Sequence, residues 1–136
     1  MNDNKDIIRV RSVMKTHFDQ VDGMLTIEEA ITSMKHVETK ALVVKKRNDD
    51  DEYGLLLLSD IARKVLARDR APDRVNVYEV MAKPVISVDP DMDIRYCARL
   101  LERFQLSRAL VIENDSVVGI VSLTDLVLKG LCRSIV

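Results

Sequence analysis

"GLLLLSDI", Gly54–Ile61, and "GIVSLTDL", Gly119–Leu126, are near-copies set 65 positions apart. Each is a glycine, an apolar run, and then a hydroxyl residue shortly before an aspartate. Short apolar runs ended by polar residues read as buried strands, and the residues that follow read as helices. The two stretches differ at one telling place: Ser122 stands where the first copy has Leu57.

The likeness extends outward in both directions. With an offset of 67, Val13-Met14 falls on Val80-Met81, Val21-Asp22 on Val88-Asp89, and Ile27 on Ile94. An offset of 68 places "ALVV", Ala41–Val44, on "ALVI", Ala109–Ile112, implying one extra residue near Leu106 in the second copy. After the next loop the offset is 65, so Gly54, Leu58, Asp60, Lys64 and Leu66 meet Gly119, Leu123, Asp125, Lys129 and Leu131, and the first loop is longer by three residues. Self-similarity of this kind marks a duplicated unit of about 55 to 60 residues. The copies are read as 9–68 and 77–131, joined by a connector at 69–76 within the charged "ARDRAPDRVN".

Each copy has the same sequence of elements. "TIEEAITSMKHV" opens with Thr26 and Glu29 in capping-box spacing and puts Ile27, Ala30, Ile31 and Met34 on one helical face. "DIRYCARLLERF" has Asp93 as N-cap and Ile94, Cys97, Ala98, Leu101 and Phe104 as its apolar stripe. Two buried strands joined by a turn follow in each copy, "NDDDE" and "NDS" being the turns, and then a helix, "SDIARKVLARD" or "SLTDLVLKGL". With a short strand at Val21 or Val88, the order is strand, helix, strand, strand, helix. The fold class is therefore mixed α/β (α+β). One such unit covers only one face of its sheet and is marginal alone, so two copies are expected to pack face to face.

Composition bounds the function. A chain of 136 residues with 47% hydrophobic and 32% charged residues is an ordinary globular protein rather than a disordered one. A net charge of -1 and 4% aromatic content give no broad pull toward nucleic acid or an anionic membrane. The opening "MNDNKD" is polar with no apolar signal-like stretch behind it, so a cytoplasmic location is expected. Cys97 and Cys132 are too far apart for a zinc site and read as small reduced residues.

The doubled pattern of "VM", a short strand, "ALVI" and "VVGIVSLTDL" resembles a tandem of cystathionine beta-synthase (CBS) domains, the Bateman module, from about Arg9 to Leu131. The resemblance implies a pseudo-twofold pair of repeats with clefts between them that take an adenosine-containing ligand: AMP, ADP, ATP, NAD or S-adenosylmethionine. It also implies a homodimer and, since no effector domain is read in the chain, a separate effector partner. Carried onto this sequence, Ser122 and Thr124 would meet phosphate and Asp125 the ribose hydroxyls. Val85, Ile86, Ala109 and Leu110 would wall the adenine, with Ser87 a polar contact and Arg108 a counter-charge. In the first copy Asp60 keeps the carboxylate, Leu57 removes the hydroxyl, and Lys40, aligned with Arg108, would partly compensate.

Other readings stand beside this one. Ser-x-x-Asp is also a capping pattern, and Ser59 or Thr124 could serve as the N-cap instead. The fold could also serve as a ligand-independent dimerisation or interaction module. "NDDDE" lacks the spaced ligands of a calcium loop, so no metal is expected. His17 and His36 join no nucleophile or base pattern, His36 being placed on the polar side of the first helix, and no catalytic residue is assigned. The methionines at 14, 34, 81 and 92 read as core filler.

Overall fold

The computed structural model describes residues 7–131; Cys132 lies outside them. The chain forms two compact units, one of residues 17–85, the other of residues 86–131 together with the N-terminal segment through Thr16.

The unit of residues 17–85 is built on a three-stranded sheet. Strand β1 (Asp19–Val21) runs parallel to β2 (Ala41–Val44), which pairs antiparallel with β3 (Gly54–Leu57). Helix α1 (Ile27–Ser33) crosses from β1 to β2, and its Thr26–Glu29 capping box is formed. Ile27 and Ala30 are fully buried, whereas Ile31 stands half exposed because the helix ends at Ser33. His36 therefore lies beyond the helix, not on its polar side, and its N–H donates to Asp19. A single turn, α2 (Leu58–Ile61), leads into a π-helical turn, Ala62–Leu66, and after the connector comes α3 (Val77–Val80). The connector is more than a linker: Val75 is buried in this unit's core, and its carbonyl accepts from Ile27 N–H at 2.8 Å.

The other unit repeats the plan. Strand β4 (Ser87–Val88) is parallel to β5 (Arg108–Glu113), which is antiparallel to β6 (Ser116–Ser122). Helix α4 (Ile94–Arg103) starts at Asp93, whose carboxylate accepts from Arg95 N–H at 2.8 Å. Cys97 and Leu101 are fully buried, but Phe104 falls past the last helical turn and is half exposed, outside the apolar stripe. The turn α5 (Leu123–Asp125) runs into a second π-helical turn, Leu126–Leu131.

The compact units do not coincide with the sequence repeats. The "VM" segment at the head of each repeat packs with the body of the other repeat. Val10 and Val13 are buried with Val88, Cys97 and Val121, while Val77 and Val80 are buried with Val21, Leu42 and Leu56. Equivalent backbone bridges anchor each segment: Lys15 with Ile120 and Arg9 with Asp93 in one unit, Ala82 with Leu55 and Asn76 with Thr26 in the other. Gly119 and Gly54 are required at these crossings. A Cβ on Gly119 would meet Met14 Sδ at 2.7 Å and the Lys15 carbonyl at 2.8 Å, and one on Gly54 would meet Met81 Sδ at 2.9 Å.

The sheet ladders also correct the repeat alignment. Val44 faces Gly54 and Val111 faces Gly119, so the offset is 67 in β2 and β5 (111 − 44) and 65 after the hairpin (119 − 54). No residue is inserted near Leu106, and the first hairpin is longer by two residues rather than three. In the second copy the ladder continues past a bulge between Val111 and Ile112, pairing Ile112 with Val117 and Glu113 with Ser116. Ala41 is therefore the counterpart of Arg108, and Lys40 that of Ser107, as the matching bonds from Leu58 N–H to the Lys40 carbonyl and from Leu123 N–H to the Ser107 carbonyl show.

Candidate functional site

Where β6 gives way to α5, the backbone turns from extended to helical at Ser122. Ser122, not Thr124, is the N-cap: its Oγ accepts from Asp125 N–H at 3.1 Å and donates to Asp125 Oδ2 at 3.0 Å. Both residues are buried, at 6% and 4% exposure. A cap alone needs no buried carboxylate, because the backbone N–H is already satisfied by the hydroxyl.

Asp125 has gathered cations around it. Lys15 Nζ lies 2.5 Å from Asp125 Oδ1, and Lys129 Nζ, one helical turn on, lies at 3.8 Å. Arg108 faces Ser122 across the β5–β6 ladder. Its burial pulls the guanidinium below the ordinary arginine range, and the negative charge of Asp125 pulls the other way. One carboxylate thus sits among three cations and one hydroxyl, an arrangement that can accept hydrogen bonds from a diol and donate them to an anion.

The remaining expected residues fall as follows. Ile86 is half-buried against this unit's core, and its carbonyl accepts from Leu110 N–H at 3.2 Å. Ala109 and Leu110 are fully buried, while Ser87 and Thr124 are exposed. Val85 closes the other unit, 17–85. Lys40 is exposed, sits in the left-handed region with φ 57, and holds the position of Ser107 rather than that of Arg108. Asp60 is bonded by Arg63 Nη2 at 3.0 Å, and Leu57 caps α2 without any side-chain bond. In the unit of residues 17–85 three equivalent positions carry no polar side chain: Leu57 for Ser122, Ala41 for Arg108 and Ala82 for Lys15. Lys15 was not legible as a site residue, since nothing local links it to an aspartate 110 positions away. Lys129 was visible as the repeat of Lys64, but its approach to Asp125 needed the helical turn.

The CBS domain family model matches residues 77–130. The CBS domain-containing protein YhcV of Bacillus subtilis is 31% identical over 117 residues, covering 86% of this chain and 81% of that protein. The chain belongs to the CBS domain family. Among solved structures, this CBS protein is similar to a hexameric CBS-CP12 protein from bloom-forming cyanobacteria, with 32% identity and a TM-score of 0.87, covering 91% of this chain and 68% of that one. It is also similar to TA0289, a conserved CBS domain protein of unknown function from Thermoplasma acidophilum, with 36% identity and a TM-score of 0.75, covering 88% of this chain and 67% of that one. CBS domain proteins act as regulatory modules. Among the described residues, no helix is long and apolar enough to cross a membrane.

Proposed function

We propose that this CBS protein is a regulatory sensor, not an enzyme, and that its second repeat binds an adenosine-containing ligand: AMP, ADP, ATP, NAD or S-adenosylmethionine. The observation that carries the reading is the buried Ser122–Asp125 pair with Lys15 and Arg108 beside it. Ribose hydroxyls donate to Asp125 in exchange for the Lys15 ammonium, and Ser122, Lys15 and Arg108 face the phosphate side. The first repeat, with Asp60 alone remaining, is the weaker or unused site. The chain acts in the cytoplasm as a homodimer, and a separate effector protein reads the population shift that occupancy produces.

Calorimetry with AMP, ATP, NAD and S-adenosylmethionine tests the reading. Binding by at least one of them, weakened in Asp125→Ala, is the expected result; an affinity indifferent to that substitution would sink the assignment.

A second reading has its own support. Asp125 is already satisfied within the chain by Lys15 and Ser122, as a purely structural charge would be. On that reading the protein is a ligand-independent dimerisation or interaction module. A thermal-shift series with the same four compounds separates the two, since a ligand that binds the folded state raises its unfolding temperature.

A further inference from the structure

The duplication builds the same corner twice, and the two corners are finished differently. In one, Asp89 Oδ1 accepts from Asp91 N–H at 2.8 Å, and Arg11 N–H donates to the Pro90 carbonyl at 2.8 Å. In the other, Asp22 Oδ1 accepts from Met24 N–H at 2.8 Å, and Tyr78 N–H donates to the Gly23 carbonyl at 3.0 Å. Tyr78 therefore stands where Arg11 stands, and Met24 where Asp91 stands. The first corner is occupied by an ion-paired guanidinium, Arg11 bonding Asp91 at 3.3 Å and Glu113 at 2.6 Å. The second has no such plug.

The cleft of about 630 Å³ beside the first corner is lined mostly by charged side chains, Arg9, Asp89, Asp91, Asp93 and Arg95. Beside the second corner, at the end of β1 and β2 away from Asp60, is a cleft of about 660 Å³. That volume lies within the range of small-molecule sites, roughly 300–1,000 Å³. Met24 and Tyr78, 67% and 51% exposed, and Met81 give it an apolar, partly aromatic wall. Lys45, Arg47 and Lys83 supply cations. Arg47 and Lys83 share a single carboxylate, Asp51, which Lys83 above all holds well below the usual carboxylate range. Lys45 makes no ion pair among the described residues. With Asp22 on the rim turned to the Met24 N–H, positive charge is left over beside an exposed ring.

We propose that this cleft is a second binding site, independent of the adenosyl reading, for a small aromatic anion: a planar ring held against Tyr78 and the methionines, with a phosphate or carboxylate group toward Lys45 and Lys83. Ring stacking and sulfur contact suit the wall, and a charge-assisted hydrogen bond suits the cations.

The test is an amide NMR titration of the full chain with phenyl phosphate, using inorganic phosphate and phenol as controls. Saturable shifts at Gly23, Met24, Lys45 and Tyr78, at least about tenfold tighter than either control, are expected. Rebuilding the other corner's plug with Met24→Asp and Tyr78→Arg abolishes those shifts. Lys45→Glu, an exposed change that leaves the fold intact, weakens them about tenfold or more even if the double variant fails to fold. Shifts equal to those with inorganic phosphate, shifts indifferent to Lys45→Glu, or concentration-dependent shifts without probe that mark a second copy in the cleft would each overturn the proposal.

Discussion

Lys15 and Asp125 are 110 positions apart and meet at 2.5 Å, because the segment carrying Lys15 is laid along β6 by a two-bond bridge to Ile120. The backbone of Lys15 donates to the Ile120 carbonyl at 2.9 Å and accepts from Ile120 N–H at 3.0 Å, so the side chain is aimed by the sheet rather than by its own torsions alone. The corresponding bridge in the other unit ends in Ala82, which has no charge to aim.

Lys15→Met keeps the stem and removes the charge. Asp125 is then left with Ser122, the more distant Lys129 and the charge of Arg108, and a buried carboxylate loses its nearest cation. Because Lys15 is about a quarter exposed, the loss should fall below the 3–5 kcal/mol of a fully buried pair, at about 1–3 kcal/mol. Urea denaturation measures it; an unchanged midpoint would mean the pair is only a surface contact.

Gly119→Ala should cost more than Gly54→Ala. The new methyl at 119 meets the Lys15 carbonyl at 2.8 Å, whereas at 54 the nearest carbonyl, of Ala82, is 3.3 Å away and the closest atom is the end of a flexible Met81. Overpacking of a tight contact costs roughly 1–3 kcal/mol, and Gly119→Ala belongs at the upper end. Chemical denaturation of both variants gives the order, and the reverse order would contradict the crossing geometry.

Much of this architecture was readable in the sequence. The element order, the Thr26–Glu29 capping box and the Asp93 cap were legible because each rests on spacing within one turn of chain. The exchange of "VM" segments was not, because it depends on pairings between residues far apart. Letter similarity slid "ALVV" onto "ALVI" by one position. The ladder instead pairs Ala41 with Leu57 and Arg108 with Ser122, which removes Lys40 from the comparison with Arg108. Val75 was hidden because a single apolar residue among charges carries no periodicity. At the site, Ser122 and Asp125 were visible as a doubled motif, and Lys15 was not.

Asp93 gives a pH-dependent prediction. Hydrogen bonds from Arg95 hold its carboxyl below the ordinary 3.8, so the folded pKa is lower than the unfolded one. Its stabilisation is present above about pH 4 and fades as the pH falls through the lower folded value. Asp93→Ala should cost about 0.5–2 kcal/mol near pH 7, as loss of a helix cap does, and the gap from the natural protein should narrow at acid pH, below the ordinary carboxylate range. Denaturation curves at neutral and at acid pH test it, and a gap just as wide in acid would mean the cap's charge contributes little.

Cys97 is fully buried, and burial pushes its thiol up to about 11. At pH 8 it is almost wholly the unreactive thiol. In a Cys132→Ser variant, labelling by a disulfide reagent should proceed only as fast as the protein opens and accelerate sharply in urea. Rapid labelling of the native chain would contradict the packing of α4.

The central claim is that one repeat, not both, carries an adenosyl site built on Asp125. Calorimetric titration of AMP into the natural chain, Asp125→Asn and Asp60→Asn measures this directly. The account predicts one AMP per chain, a loss of about 1.5–3 kcal/mol in Asp125→Asn, or roughly ten- to a hundredfold, and no loss in Asp60→Asn. Two equivalent sites, or an affinity that follows Asp60 instead of Asp125, would contradict it.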